Sequence, residues 1–339
     1  LANLNVLDFE KSIAELDENL AQLHRIAADR ANPQNKPELP DRIAELERHR
    51  TEILRELFAH LSPWDQVLLA RHKDRPYTLD YVSALLEDWQ ELHGDRMGYD
   101  DGAIVAGLAR FEGQAIAVIG QQKGRDLKQR QHRNFGYARP EGYRKAGRIL
   151  KLAARFGLPV LTFVDTAGAA ADVSADERGI SEAIARNMFD MAVAPVPIIA
   201  VIIGEGGSGG ALGIAVGDRV LMLEHAIYSV IAPEGCAAIL WRDPAKNAEA
   251  AKALNLTADG AKEFGLIDAI VPEPLGGAHR DWSAAADLLR TALRPHLSAL
   301  ASVSPETLVA DRYEKFRRMG RWLEVAPDPV DGDGEVEAA

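Results

Sequence analysis

The chain has a single cysteine, Cys236, among 339 residues. That excludes an internal disulfide and a cysteine-rich zinc site, and it fits a reducing compartment. The nine histidines offer no replacement, because none falls in a His-x-x-x-His or comparable pairing on one helical face. No metal is expected in this chain. Long apolar runs are also missing: none approaches the roughly 18 residues of a spanning helix, so no membrane segment is expected. The first residues hold no basic segment followed by an apolar stretch, so no secretory signal is expected and the predicted location is cytoplasmic. No Lys-Ser/Thr pair follows the glycine-rich stretch described below, which excludes a P-loop.

What remains has the composition of a globular protein, with 47% hydrophobic and 27% charged residues. The length suggests one large domain plus an appendage. Net charge is −12 but unevenly spread: between Lys123 and Arg155 stand eleven Lys plus Arg and only two acids, Asp126 and Glu141. A local basic zone on an acidic chain points to a specific anionic ligand rather than to general nucleic-acid affinity.

Helical periodicity dominates the first 60 residues, with Ile13, Leu16, Leu20 and Leu23 on one stripe and Ile43, Leu46, Ile53 and Leu57 on another. Pro33, Pro37 and Pro40 separate the two helices, and each buries only one face, so the pair must pack on the main domain or a partner. Another helical, acidic stretch is expected from Pro76 to Arg96. After Gly102 the period changes. The runs 103–109 and 115–120, separated by Glu112-Gly113, read as a hairpin. Pro140 and Gly157 bracket a helix. Pro159–Val164 and Pro197–Ile203 are apolar enough to be buried strands, with a helix from Ser181 to Ala194 between them. Strands follow at Arg219–Leu223 and Ala226–Ile231, with helices from Gly209, near Glu234 and from Thr257. The alternation predicts an α/β fold with largely parallel pairing. The expected division is a helical extension over 1–100, a main domain over 101–322 and a disordered acidic tail over 323–339.

In open α/β sheets ligands gather beyond the carboxyl ends of strands, which directs attention to the loops after Val164 and Ile203. The second is Gly204-Glu-Gly-Gly-Ser-Gly-Gly210, with five glycines in seven residues. Closely approaching backbone N–H groups there would stabilise an oxyanion on a thioester or cofactor carbonyl. Three other readings compete. Gly204-x-Gly206-x-x-Gly209 matches a dinucleotide fingerprint, with Glu224 beyond it, but the following helix is short for a nicotinamide enzyme. Ser208 formally satisfies Gly-x-Ser-x-Gly, and Asp268 and His279 could complete a serine hydrolase, though no spacing selects them. A structural turn is the third.

The residues resemble a known family, the α subunit of the bacterial multi-subunit acetyl-CoA carboxylase carboxyltransferase, within the crotonase-like superfamily. The likeness spans nearly the whole chain and rests on Leu7-Asp-Phe-Glu10, Arg75-Pro-Tyr-Thr-Leu-Asp-Tyr81, Gln122-Lys-Gly-Arg125, Arg133-Asn-Phe-Gly136, Pro140-Glu-Gly-Tyr-Arg-Lys145, Glu177-Arg-Gly179, Ser181-Glu-Ala-Ile-Ala-Arg186, Gly204 to Leu212, Pro233-Glu-Gly-Cys236 and Pro272-Glu-Pro-Leu-Gly-Gly-Ala-His279. It implies a crotonase-like (ClpP/crotonase) superhelix of repeated ββα units with an N-terminal helical extension. The implied reaction is carboxyl transfer from carboxybiotin, on a biotin carboxyl carrier protein, to acetyl-CoA, giving malonyl-CoA for fatty-acid synthesis. The implied assembly is an α₂β₂ heterotetramer with a zinc-ribbon β subunit, joined by biotin carboxylase in the full complex. Nucleic acid and membrane are not expected as partners.

By position, the resemblance makes Gly209 and Gly210 one of two oxyanion holes, with Gly206 and Gly207 in the same turn. Lys123, Arg125, Arg178, Gly168 and Ala169 become substrate- or biotin-binding candidates. A self-sufficient crotonase-type hydratase or isomerase is the nearest alternative, and it would need free carboxylates, with Glu205 and Glu234 available. One loop departs from the family pattern Asp-Thr-Pro-Gly-Ala-Tyr-Pro-Gly: here it is Asp165-Thr-Ala-Gly-Ala-Ala-Ala-Asp172. Loss of two prolines and an aromatic ring is expected to loosen it.

Overall fold

The computed structural model describes residues 6–29, 32 and 34–320. The predicted acidic tail lies outside these residues, as does Pro33. Four helices come first: α1 (Lys11–Ala28), α2 (Leu39–Ala59), α3 (Pro63–Ala70) and α4 (Thr78–Leu85). Then β1 (Glu87–Glu91), β2 (Ile104–Phe111) and β3 (Gln114–Gln121) form an antiparallel edge. Next come α5 (Leu127–His132), α6 (Pro140–Phe156), β4 (Val160–Thr166), α7 (Val173–Glu177), α8 (Ile180–Ala192), β5 (Ile198–Gly207) and α9 (Ser208–Leu212). The remainder is β6 (Arg219–Leu223), β7 (Ile227–Ser229), α10 (Pro233–Leu240), α11 (Asn247–Leu254), α12 (Ala258–Glu263), β8 (Ala269–Val271), α13 (Trp282–Ala301) and α14 (Pro305–Arg317).

One mixed sheet runs in the order β1-β2-β3-β4-β5-β6-β8, with β7 pairing the far end of β5. From β3 onward every pairing is parallel. Burial follows from that placement. All of β4 is buried, and so is β5 apart from its last residue, because helices cover the parallel strands. At about 1.5–3 kcal/mol per fully buried Val, Ile or Leu, these two strands anchor the core.

Two expectations need correction. The acidic stretch from Pro76 to Arg96 is helical only over α4; it then becomes β1, whose residues alternate toward solvent. Asp88 takes a positive φ of 53° and the register slips between Glu87 and Gln90, so charge and a bulge blunt the exposed edge of the sheet. The glycine-rich stretch is not all turn either. The strand continues through Gly207, pairing Gly206 with Thr166 on one side and Tyr228 on the other. Missing side chains let neighbours close in on both sides, extending the ladder into residues of low strand propensity.

The N-terminal hairpin packs on itself through Leu20, Leu39 and Ile43, and is tied to the rest by a buried clasp. Oε1 of Glu10 accepts hydrogen bonds from His279 Nε2 at 3.1 Å and Arg280 Nη2 at 2.8 Å, and Arg280 also pairs with Asp17 at 2.7 Å. Glu10, His72 and His279 offer ligand atoms within 4.8 Å of one another, a grouping invisible to local spacing because the three lie far apart in sequence. Its chemistry is that of a clasp, since Arg280 already neutralises Glu10 and His72 Nδ1 accepts from the Asp74 N–H at 3.2 Å. At the other end of the chain Arg312 is fully buried, pairs with Asp218 at 2.8 Å, and donates to the carbonyls of Met191, Ala194 and Val196. No helix among the described residues is long and apolar enough to cross a membrane.

Candidate active site

Three adjacent parallel strands, β3, β4 and β5, end side by side, and the residues just past or at their carboxyl ends converge. Lys123 follows β3, Asp165 lies near the end of β4 and Glu205 near the end of β5. The Lys123 ammonium bridges Asp165 Oδ1 at 2.7 Å and Glu205 Oε1 at 2.8 Å. Arg71, from the end of α3, reaches the other oxygen of Glu205 at 2.7 Å and Glu234 at 2.6 Å. Arg71, Lys123, Glu205 and Glu234 line a cavity of about 510 Å³ with Tyr77, Arg130, Phe135, Tyr137 and Ala167, and Asp165 lies behind them.

The electrostatics of this network are set by burial against pairing. Burial alone would raise Glu205, but Lys123 and Arg71 outweigh it and hold the carboxyl below its ordinary value. Asp165 is buried with Lys123 as its ion-pair partner; burial outweighs that pairing and its value rises. Burial would lower Lys123, yet two carboxylates raise it, so the ammonium stays charged. Glu234, half-exposed, is pulled down by Arg71 against its burial. Glu205 and Glu234, the two carboxylates a hydratase would need, are thus ionised and occupied by cations.

The glycine turn sits beside this cavity but faces elsewhere. Ser208 and Gly209 line a separate, apolar cleft of about 390 Å³ with Leu212, Tyr228, Val230, Leu254 and Phe316. Gly210 is buried: a Cβ there would stand 2.5 Å from both Ala169 N and Gly168 C, so Gly168 and Ala169 form the wall against which the turn is seated. Gly207 is equally blocked by the backbone of Ala167, whereas a Cβ on Gly209 would meet nothing nearer than Ile184 at 4.0 Å. The first N–H groups of a helix lack intrahelical acceptors, and in α9 they include those of Gly209 and Gly210. At five residues, α9 contributes individual N–H donors rather than a substantial macrodipole.

The turn is held from behind by residues to which the sequence analysis assigns no role. The Gly210 carbonyl accepts from Gln121 Nε2 at 2.7 Å and from the Tyr143 hydroxyl at 3.0 Å, and Asn187 Nδ2 donates to Gly213 O. Arg75, fully buried against Glu273, donates to Ile203 O at 2.7 Å just upstream. Tyr143 and Arg75 lie within the family landmarks; Arg71 and Gln121 lie in none, and no spacing signals them.

Both basic candidates other than Lys123 fall outside the cavity. Arg125 pairs with Asp80 at 2.6 Å, donates to Arg75 O at 3.1 Å and stacks on Tyr77 and Trp282, pinning α4 to α13. Arg178 is paired with Glu141 and bonds Ser174 O at 3.0 Å. The basic zone is likewise divided: Arg139 pairs with Asp172, Lys145 with Asp100 and Lys151 with Asp190, leaving no continuous positive stripe. Nor is the loop after β4 loose. Thr166 Oγ1 bonds Gly136 O at 2.7 Å and Gly168 O at 2.6 Å, while Asp172 caps α7 and pairs with Arg139 at 2.8 Å. Asp172 thus anchors the end of the loop.

Geometry disposes of two other readings. Glu224 accepts from the Glu273 N–H at 2.9 Å and the helix after the glycines is too short for a dinucleotide unit. Ser208 does sit at a strained strand-to-helix turn, with φ of 53°, but among the described residues it has no histidine partner. Asp268 is engaged with Lys315 and Val220, and His279 with Glu10.

Comparison with known proteins agrees with the geometry. Residues 6–320 match the family model described as acetyl co-enzyme A carboxylase carboxyltransferase-like. The chain is 53% identical, over 96% of its length and all of the relative, to the acetyl-coenzyme A carboxylase carboxyl transferase subunit alpha of Geobacter metallireducens. It is 50% identical to the protein of that name from Halorhodospira halophila, covering 94% of this chain and 98% of the relative. A solved transcarboxylase 12S structure with methylmalonyl-coenzyme A bound superposes with a TM-score of 0.55 at 20% identity, over 67% of this chain and 42% of that one, which shows a shared fold. The chain belongs to the acetyl co-enzyme A carboxylase carboxyltransferase-like family.

Proposed function

We propose that this chain is the α half of a cytoplasmic carboxyltransferase that moves a carboxyl group from carboxybiotin, presented on a carrier protein, to acetyl-CoA. The observation that carries the reading is the glycine turn: N–H donors beside an apolar cleft, backed by Gln121 and Tyr143, with every nearby carboxylate already paired. Such a site stabilises negative charge on oxygen without a side-chain acid or base.

The ureido group of biotin is neutral and planar with one strong acceptor oxygen, so it requires N–H donors and an apolar wall. Gly209, Gly210, Leu212, Tyr228 and Val230 meet both requirements. Carboxybiotin, when bound, supplies an activated carboxyl group and, once that is lost, a basic ring nitrogen. The chain's own part is electrostatic. Gly209 and Gly210 donate to the oxygen that gains charge, at roughly 3–4 kcal/mol per donor in the transition state. The apolar wall excludes water and strengthens those bonds. Lys123 and Arg71 keep Glu205 and Glu234 ionised and engaged, so neither offers a stray proton.

A second oxyanion, on the acetyl thioester, needs donors from elsewhere, which fits a zinc-ribbon β partner. Val230 is 75% exposed at the cleft rim, and Ile239 and Leu240 on α10 are exposed as well, an apolar surface suited to that subunit. The test is malonyl-CoA-dependent carboxylation of biotin, measured with and without the β partner. Activity is expected only with both; turnover by this chain alone would overturn the shared-site reading.

A further inference from the structure

A further cleft, about 300 Å³ and rimmed by charged side chains, lies between α6, α8 and the segment around Arg96. Its cations are poorly compensated. Among the described residues no carboxylate lies within ion-pair distance of Arg96, Arg144 or Arg148. Arg148 donates instead to the carbonyls of Gly94 at 3.1 Å and His93 at 3.0 Å, and Arg144 to that of Arg178. Lys151 and Arg186 share the single carboxylate of Asp190, at 3.0 and 3.2 Å. The neighbouring Asp100 is taken by Lys145 at 2.6 Å. Burial together with the adjacent Arg96 lowers Arg148 from its ordinary value, outweighing the opposing pull of Asp100. Against five cations the cleft sets Asp190, Asp95 and Glu182.

The wall carries a second, independent signal. Asn187 is 3% exposed and Asp95 6%, and Asn187 Oδ1 and Asp95 Oδ2 are buried without a hydrogen-bond partner. The other oxygen of Asp95 accepts from the N–H groups of Met97 at 2.7 Å and Tyr99 at 3.1 Å. Gly147 brings α6 close against the Asn187 oxygen, since a Cβ there would stand 2.9 Å from it. An unpaired buried acceptor is costly and calls for a donor. Excess guanidinium charge calls for an anion, and the two acceptors call for hydroxyl or amino groups on the same molecule.

Two residues of this cleft touch the catalytic turn. Tyr143 holds the Gly210 carbonyl at 3.0 Å and Asn187 holds that of Gly213. An occupant that engages Asn187 therefore acts on the segment bearing the N–H donors.

We propose that this cleft binds a phosphate monoester carrying hydroxyl or amino donors, of sugar-phosphate to mononucleotide size, and that occupancy is transmitted to α9 through Tyr143 and Asn187. Binding stands on the cleft alone; any consequence for turnover rests on the function proposed above. The test is titration calorimetry on the full chain with adenosine 5′-monophosphate, ribose 5-phosphate, inorganic phosphate and adenosine, and hydrogen exchange at residues 209–213. One-to-one binding of at least one of the two esters is expected, with inorganic phosphate and adenosine each roughly tenfold weaker or more. The exposed-site variants Arg96→Gln and Arg186→Gln should each weaken the ester by roughly tenfold, and exchange at 209–213 should slow on binding. Inorganic phosphate binding as well as the esters would reduce the site to diffuse charge attraction and overturn the proposal. So would an affinity unmoved by either variant, or absence of saturable binding. Displacement of the ester by malonyl-CoA in the presence of the β partner would assign the cleft to the substrate and overturn a separate site. Unchanged exchange at 209–213 would overturn the transmission to α9. None of these readouts uses carboxyl transfer, so they stand or fall apart from the proposed reaction.

Discussion

Gly209 and Gly210 are neighbours in sequence with opposite tolerances. Gly209 faces open space, so Gly209→Ala should leave the melting temperature unchanged and reveal in kcat whether the added methyl crowds the apolar cleft. Gly210→Ala must push back the Gly168-Ala169 backbone, and should lower both melting temperature and kcat, the latter by about 10²–10³ as for loss of an oxyanion donor. Equal loss of melting temperature in the two variants would refute the difference in steric tolerance. Lys123 makes a second prediction. Lys123→Met removes the cation shared by Asp165 and Glu205, and breaking a buried pair typically costs about 3–5 kcal/mol. The sign of its pH dependence follows from Asp165. Burial already places its folded value above the ordinary one, so the folded state holds that proton more tightly. Without Lys123 the value rises further. The stability difference from the unaltered chain should therefore be greatest at neutral pH and shrink as Asp165 takes up a proton on acidification, measured by thermal melts across that range. Lys123 was legible in the sequence through its place in Gln122-Lys-Gly-Arg125, but its two partners are assembled by the parallel register of β3, β4 and β5, which no local motif encodes.

At the scale of elements, punctuation was readable and edges were not. The helix α6 starts at Pro140, and Gly157 ends it in the left-handed region at φ of 65°. The hairpin of β2 and β3 turns on Glu112 and Gly113, both at positive φ. By contrast β1 reads as part of an acidic helix because its charges serve to protect a sheet edge, a requirement of tertiary structure that helical periodicity cannot register. The N-terminal hairpin was legible as two apolar stripes, while its attachment through Glu10 to His279 was not, the two being 269 residues apart. Burial opposes ionisation of Glu10, but the His279 hydrogen bond and the Arg280 guanidinium bring its carboxyl to about 2. A depressed carboxyl stabilises the fold above its ordinary value and loses that contribution as pH falls toward about 2. Burial lowers His279 as well, so its protonation also favours release. Glu10→Gln should accordingly cost about 3–5 kcal/mol at neutral pH, and the hairpin of the unaltered chain should become open to proteolysis on acidification below 4.5. A hairpin equally protected at both pH values would show that the clasp is not what holds it.

For the whole molecule, the cavity at the strand ends and the apolar cleft at the glycine turn are separate, exposed Val230 lines the cleft, and Ile239 and Leu240 at the end of α10 are exposed as well. That surface has the character of an interface awaiting a partner. Val230→Glu should leave the melting temperature of the isolated chain unaltered while abolishing association with the β subunit, measured by sedimentation. Undiminished association would move the interface to another face. The internal balance of charge points the same way: the basic zone is divided among carboxylates of several elements, so the molecule presents pockets of charge rather than a field.

The loop after β4 and the glycines of β5 and α9 fill one another's missing volume. Asp165 stands where a side chain on Gly204 would be, Ala167 where one on Gly207 would be, and Gly168 with Ala169 where one on Gly210 would be. The loop's contribution to that fit is largely its backbone, not its side chains. Side chains at 167, 170 and 171 are therefore expected to tolerate replacement, whereas gaining or losing one residue between Asp165 and Asp172 should unseat the turn.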